Sequence, residues 1–178
     1  MSIRSLHLLG SPVLRQRSQE VAVVDEEVRR LIDDLFETMY AAKGVGLAAN
    51  QIGVALRVAV VDAEGDRRVL VNPVVLEAEG KDTAEEGCLS IPSIYADVTR
   101  PDRVVIQAQD MQGTAVTFET VGLPARAIQH EIDHLDGILF LDHLGLMKRR
   151  LLLNRWKKEH AKDEGYIVEV KPESAETR

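Results

Sequence analysis

The stretch RVVIQAQDMQGTAVTFETVGLPARAIQHEIDHLDG, residues 103–137, decides the fold class. Residues 104–109 and 114–121 are rich in β-branched side chains, and DMQGT between them holds the Asp and Gly of a tight turn. The pair therefore reads as an antiparallel hairpin. Pro124 follows where a helix accepts proline, in its first turn. Ala127, Ile128, Ile132 and Leu135 then recur on one helical face, and Gly137 supplies the stop. Strand, turn, strand and then helix is not a βαβ unit.

Working outward gives the same class. Residues 58–61 and 69–76 read as two further strands. Asp25 caps a helix whose first turn holds Glu26 and Glu27 and whose apolar stripe is Val28, Leu31, Ile32, Leu35 and Met39. KGVGLAANQIG, between that helix and the strands, is rich in glycine and alanine and reads as a loop. A last helix is expected over 145–161. Strands in the middle with helices at the ends indicate an α+β fold: one compact domain over 1–162, with antiparallel or mixed β-sheets packed around a central helix. Residues 163–178 have the composition of a polar, partly disordered tail.

The chain has 178 residues, the size of one domain, and its single cysteine excludes a disulfide framework. Aromatic residues make up 4%, too few for a single-stranded nucleic-acid stacking platform, and the net charge of −7 disfavours binding DNA over a broad face. That charge is uneven. Seven basic residues and one acidic lie between Leu144 and Lys162, so this segment carries +6 against −13 for the rest. On a helical wheel Lys148, Arg155, Lys158 and Lys162 share one side, while Leu146, Leu152, Leu153 and Trp156 gather on another. No apolar run has the length of a signal-peptide core or a membrane span, so a cytoplasmic protein with no membrane partner is expected.

The chemistry concentrates in QHEIDH, 129–134. His130 and His134, four apart on a helix, project from one face and can share a metal, and Glu131 beside them can take a proton from a water acidified by the cation. A catalytic site of this kind needs a third protein ligand and an open position. The metzincin continuation fails, because Phe140 stands where its third histidine would be. A downstream glutamate could only be Glu159 or Glu164, in or beyond the basic helix. Cys88, in EEGCLS and followed by the turn-forming Ser90 and Pro92, is the leading upstream candidate. Asp133 reads as a structural carboxylate with Arg100 as its partner.

GVGLAANQ (44–51), EGCLS (86–90) and QHEIDH (129–134), in that order and together with SPVLR and DHLDGILFLDHL, resemble the signature segments of the peptide deformylases. The resemblance spans roughly the first 160 residues. It implies that Cys88, His130 and His134 hold one divalent metal ion, ferrous iron with zinc, nickel or cobalt as alternatives. Glu131 would be the general acid and base for hydroxide attack on the formyl group. Gln51 and the backbone N–H of Leu89 would stabilise the oxyanion, and Val45, Gly46 and Gly87 would bind the substrate backbone. The substrate would be the N-terminal formylmethionine of nascent polypeptides, and the basic helix, 146–162, would contact the ribosome. The resemblance departs at Tyr95, where certain relatives carry an arginine. A deformylase-like protein without turnover and an HExxH metallopeptidase are the competing readings.

Overall fold

The structure is a computed structural model and describes residues 2–172. After a short strand β1 (Leu6–His7), helix α1 (Glu26–Ala41) begins where the sequence places it, with the Asp25 carboxylate accepting the Val28 N–H at 3.0 Å. The glycine- and alanine-rich segment expected as a loop is instead strand β2 (Gly46–Ala48) followed by a 3₁₀ turn over Ala49–Ile52. Its pairing with the next strand overrides the weak strand propensity of Gly and Ala. The chain continues through β3 (Val58–Ala63), β4 (Asp66–Glu79), β5 (Asp82–Cys88), β6 (Ile91–Arg100), β7 (Arg103–Gln109) and β8 (Ala115–Val121). Helix α2 (Gly122–Leu135), a 3₁₀ turn over Phe140–His143, helix α3 (Leu146–Glu159) and strand β9 (Ile167–Val168) complete it.

Strands β2-β3-β4-β7-β8 form one antiparallel sheet in that order, and β5-β6 form a separate hairpin. The run VAVV in β3 is buried on both faces because a helix covers each. Val58 and Val60 pack with Leu31, Ile32, Leu35 and Met39 of α1, while Ala59 and Val61 pack with Ile128, Ile132 and Leu135 of α2. Pro73 is tolerated within β4 because the ladder with β7 shifts register between Val71 and Val74. The hairpin β5-β6 was not foreseen, since its Asp, Glu, Gly and Pro content masks the alternation of Ile94, Ala96 and Val98 toward a third cluster with Phe140, Leu152 and Trp156.

Helix α3 docks through Leu152 and Trp156, but Leu146, assigned to the apolar side, is 70% exposed. It lies in the helix's first turn, which projects beyond the surface that Leu152 and Trp156 cover. The segment expected as a tail pairs β9 with β1 over 167–168, and the part of that expectation covering 173–178 lies outside the described residues. Among the described residues no helix is long and apolar enough to cross a membrane.

Candidate active site

Helix α2 carries His130, Glu131 and His134 in little more than one turn, with the two imidazoles on one face. The third ligand-type atom arrives from the separate hairpin. Cys88 ends β5, residues 89–90 make the turn, and Ile91 pairs back across to Cys88. The Cys88 Sγ lies 3.3 Å from His134 Nε2, which lies 3.1 Å from His130 Nε2, and the ligand atoms of all three residues fall within 4.8 Å of one another.

Glu86 sets the orientation of this cluster. The His130 Nδ1–H donates to Glu86 Oε1 at 2.9 Å, which turns Nε2 toward Cys88 and His134. Arg100 Nε and Nη2 donate to the same carboxylate at 2.6 and 2.9 Å, and Arg126 Nη1 donates at 2.6 Å. Arg100 also reaches Asp133 at 2.8 Å, the pairing expected from the sequence. Burial opposes charge on Glu86, but hydrogen bonds from His130 and Arg100 prevail and hold its carboxyl at about 2. It is therefore a permanent carboxylate that ties the hairpin to α2.

Burial pushes the Glu131 carboxyl up to about 7, against the pull of His130 and Arg100. Burial also opposes charge on His130, yet hydrogen bonds to Cys88 and Glu86 carry it well above the usual imidazole range. Burial and the neighbouring His130 hold His134 well below it. Among the described residues, Glu131 Oε2 and His134 Nδ1 are buried without a hydrogen-bond partner. A sulfur and two imidazole nitrogens converging beside an unsatisfied carboxylate oxygen are a donor set that fits a borderline divalent cation.

The 3₁₀ turn after β2 supplies two amides. Gln51 Oε1 accepts the Ala48 N–H at 2.9 Å, so its Nε2 faces Ser90 Oγ at 3.0 Å and Cys88 Sγ at 3.7 Å. Asn50 Nδ2 donates to the His134 carbonyl at 2.6 Å. A cleft of about 390 Å³ opens over this floor, lined by Val45, Gly46, Gln51, Gly87, Cys88, Leu89, His130 and Glu131. His134 sits in the cluster beneath. Gly46 is in close approach: a Cβ there would fall 2.5 Å from Glu131 Oε1. Tyr95 lies against Gly87 on the cleft wall.

Every site residue named from the sequence thus meets at one place. Phe140 is core, its ring 6.3 Å from that of His130, and Glu159 is bound by Arg155 at 2.9 Å on α3, away from the cluster. The sequence reading missed Glu86, Arg126 and Asn50. Two signals were present: Glu86 is two residues from Cys88 in a strand, and Arg126 is four before His130 on a helix, so each shares a face with a residue of the cluster.

An HExxH helix joined by an upstream cysteine defines a metal-dependent hydrolase. The family described as polypeptide deformylase matches residues 3–150. The peptide deformylase of Phenylobacterium zucineum is 50% identical over 169 residues, covering 91% of this chain and 99% of its own. That of Alkalilimnicola ehrlichii is 48% identical over 162 residues, covering 89% and 91%. The crystal structure of the Ehrlichia chaffeensis peptide deformylase in complex with actinonin superposes with a TM-score of 0.86 at 37% identity, covering 89% of this chain and 98% of that one. The crystal structure of the Thermus thermophilus peptide deformylase gives 0.82 at 41% identity, covering 88% and 99%. The chain belongs to the polypeptide deformylase family, and its activity is hydrolytic removal of the N-terminal formyl group.

Proposed function

We propose that Cys88, His130 and His134 hold one divalent ion, ferrous iron, and that the cleft receives the formylmethionyl end of a nascent polypeptide. The observation carrying this reading is the convergence of one sulfur and two imidazole nitrogens within 4.8 Å on the floor of a cleft bordered by an edge strand. The bound ion would supply positive charge that acidifies water and polarises the formyl oxygen. Glu131 accepts a proton from the attacking water through its unpartnered Oε2. As the C–N bond breaks, it returns that proton to the departing amine, and formate and a free α-amino group result. Burial, by raising its carboxyl, makes it basic enough to take the proton and acidic enough to give it back. Gln51 Nε2 and the Leu89 N–H donate to the oxygen on which negative charge develops. Strand β2 is an edge strand, so an extended peptide can pair with its backbone at Gly46 and with that of Val45, just before it, and with Gly87 opposite.

The test is formate release from a formyl-Met tripeptide by metal-loaded protein. Glu131→Ala and chelation are each expected to reduce kcat by at least about 10²-fold. Unchanged turnover in either would refute the assignment, and absence of turnover in every metal form would favour the binding protein without activity. Metal analysis after anaerobic purification tests iron against zinc, nickel and cobalt, all of which this donor set accepts.

Two further assignments complete the reading. The reaction belongs in the cytoplasm, whose reducing milieu keeps Cys88 reduced and able to bind the ion. The basic face of α3 contacts the ribosome. Leu152 and Trp156 anchor α3 in the core, so charge reversal at Lys148 and Lys158 is a cleaner perturbation than deletion. Ribosome co-sedimentation is expected to fall with these changes and with added salt, and indifference to both would overturn the contact.

A further inference from the structure

We infer that Ser90 is a positioning residue for the reaction, acting through Gln51; this rests on the proposed role of Gln51 as an oxyanion donor. Ser90 is fully buried and is the second residue of the two-residue turn between Cys88 and Ile91. Its backbone is fixed from outside the hairpin, its carbonyl accepting the Leu9 N–H at 2.9 Å. Its hydroxyl oxygen accepts from Gln51 Nε2 at 3.0 Å.

That bond has a specific geometric consequence. The Gln51 carboxamide is held at its oxygen by the Ala48 N–H at 2.9 Å and at its nitrogen by Ser90. One Nε2 hydrogen is occupied by the serine, and the second points to the cleft side, where it donates to Cys88 Sγ at 3.7 Å, a long bond to sulfur that a developing oxyanion can displace. The two proposed oxyanion donors come from different parts of the fold, Gln51 from the turn after β2 and the Leu89 N–H from the β5-β6 hairpin. Ser90 adjoins Leu89, so its hydroxyl bonds one donor's side chain to the turn that carries the other and fixes their separation. Preorganised donors stabilise developing charge only when they need no rearrangement at the moment of reaction. Without the hydroxyl the carboxamide keeps its tether at Ala48 but can rotate its NH₂ group away, and a buried amide hydrogen loses its acceptor.

The experiment is a double-mutant cycle on metal-loaded protein, with kcat and KM for a formyl-Met tripeptide measured in wild type, S90A, Q51A and S90A/Q51A. S90A is expected to lower kcat roughly tenfold with KM changed less than about twofold, as for an interaction realised in the transition state. In the Q51A background the same change is expected to cost less than about twofold, because the residue it positions is gone. A readout independent of turnover is the Gln51 side-chain amide in ¹H–¹⁵N spectra. One Nε2 proton is expected to exchange slowly in wild type and in S90T, which keeps the hydroxyl, and quickly in S90A. Equal cost of S90A in both backgrounds, or an amide proton indifferent to S90A, overturns the inference while leaving Gln51 its role. Wild-type kcat in Q51A removes the role of Gln51 itself and the inference with it.

Discussion

Gly46→Ala is expected to separate catalysis from folding. The new Cβ would lie 2.5 Å from Glu131 Oε1, 2.9 Å from its Cγ and 3.0 Å from its Cδ, whereas ordinary contact begins at 3.4 Å. The obstructing atoms belong to the Glu131 side chain and not to backbone, so that side chain can shift from Cγ outward, by about 0.9 Å along the line to Oε1. Moving it off its rotamer costs about 0.5–1.5 kcal/mol, and the backbone at Gly46 is not in the left-handed region, so alanine brings no φ strain. Stability should therefore fall by no more than a few degrees in Tm. Activity should suffer far more if Glu131 has its proposed role, because a catalytic group misplaced by about 1 Å can cost about 10²-fold. The assay is formate release with kcat and KM, paired with thermal unfolding of the same metal-loaded samples. The G46A/E131A double variant should be no slower than E131A alone. Activity of G46A within about threefold of wild type would refute the reasoning. So would a loss of activity matched by a large loss of structure.

Other perturbations reach the same site from further out. Glu86→Gln leaves Arg100 and Arg126 buried without their shared counter-charge, and should destabilise the protein by about 3–5 kcal/mol in urea unfolding. The same variant should release its metal to a competing chelator about 10–100-fold more readily. Stripping the ion from wild type should abolish formate release while far-UV circular dichroism stays native, because the Glu86 network holds the hairpin to α2 by bonds that need no cation. For Asp142, burial opposes the charged form, but hydrogen bonds from Arg15 and the Leu139 N–H outweigh it and hold the carboxyl below its ordinary value. Its folded pKa is depressed, so its contribution is fully present above the unfolded value of about 3.9 and is lost as pH falls through the folded one. Asp142→Asn should thus flatten the acid limb of the urea midpoint against pH. The effect should stay below about 1 kcal/mol, since the Arg15 side chain is half exposed and the pair is screened. A steeper acid limb in the variant would reverse the assigned sign.

Two features decided how much the sequence could disclose. Where local physics and tertiary context agree, the elements were legible: the Asp25 cap, the α1 stripe, the β7–β8 hairpin and the α2 face all appear where periodicity and caps place them. Where long-range pairing decides, they were not. Gly46–Ala48 is a strand because β3 offers it a partner, and β5-β6 forms although charged residues and a proline interrupt its pattern. Leu146 misled because a helical wheel shows which residues share a side but not how far the covering surface extends along the axis.

The site followed the same division. His130, Glu131 and His134 could be assembled from helical spacing, but nothing local brings Cys88 to them, since it lies on the β5-β6 hairpin and they lie on α2. Joining them required either a family resemblance or the structure. That separation also explains the buried charge cluster. A centre split between a hairpin and a helix needs a device to hold the halves in register. Glu86 stands on the same strand as Cys88, and Arg126 and His130, which bond to it, stand on the same helix as His134. Those bonds connect the elements carrying the proposed ligands, so the charge-assisted hydrogen bonds that offset the desolvation of two arginines and a glutamate also fix the mutual geometry of sulfur and imidazole. Glu131 projects into the same junction and inherits its burial there. The raised carboxyl that would suit it to the proposed proton exchange is thus a consequence of how the two halves are joined.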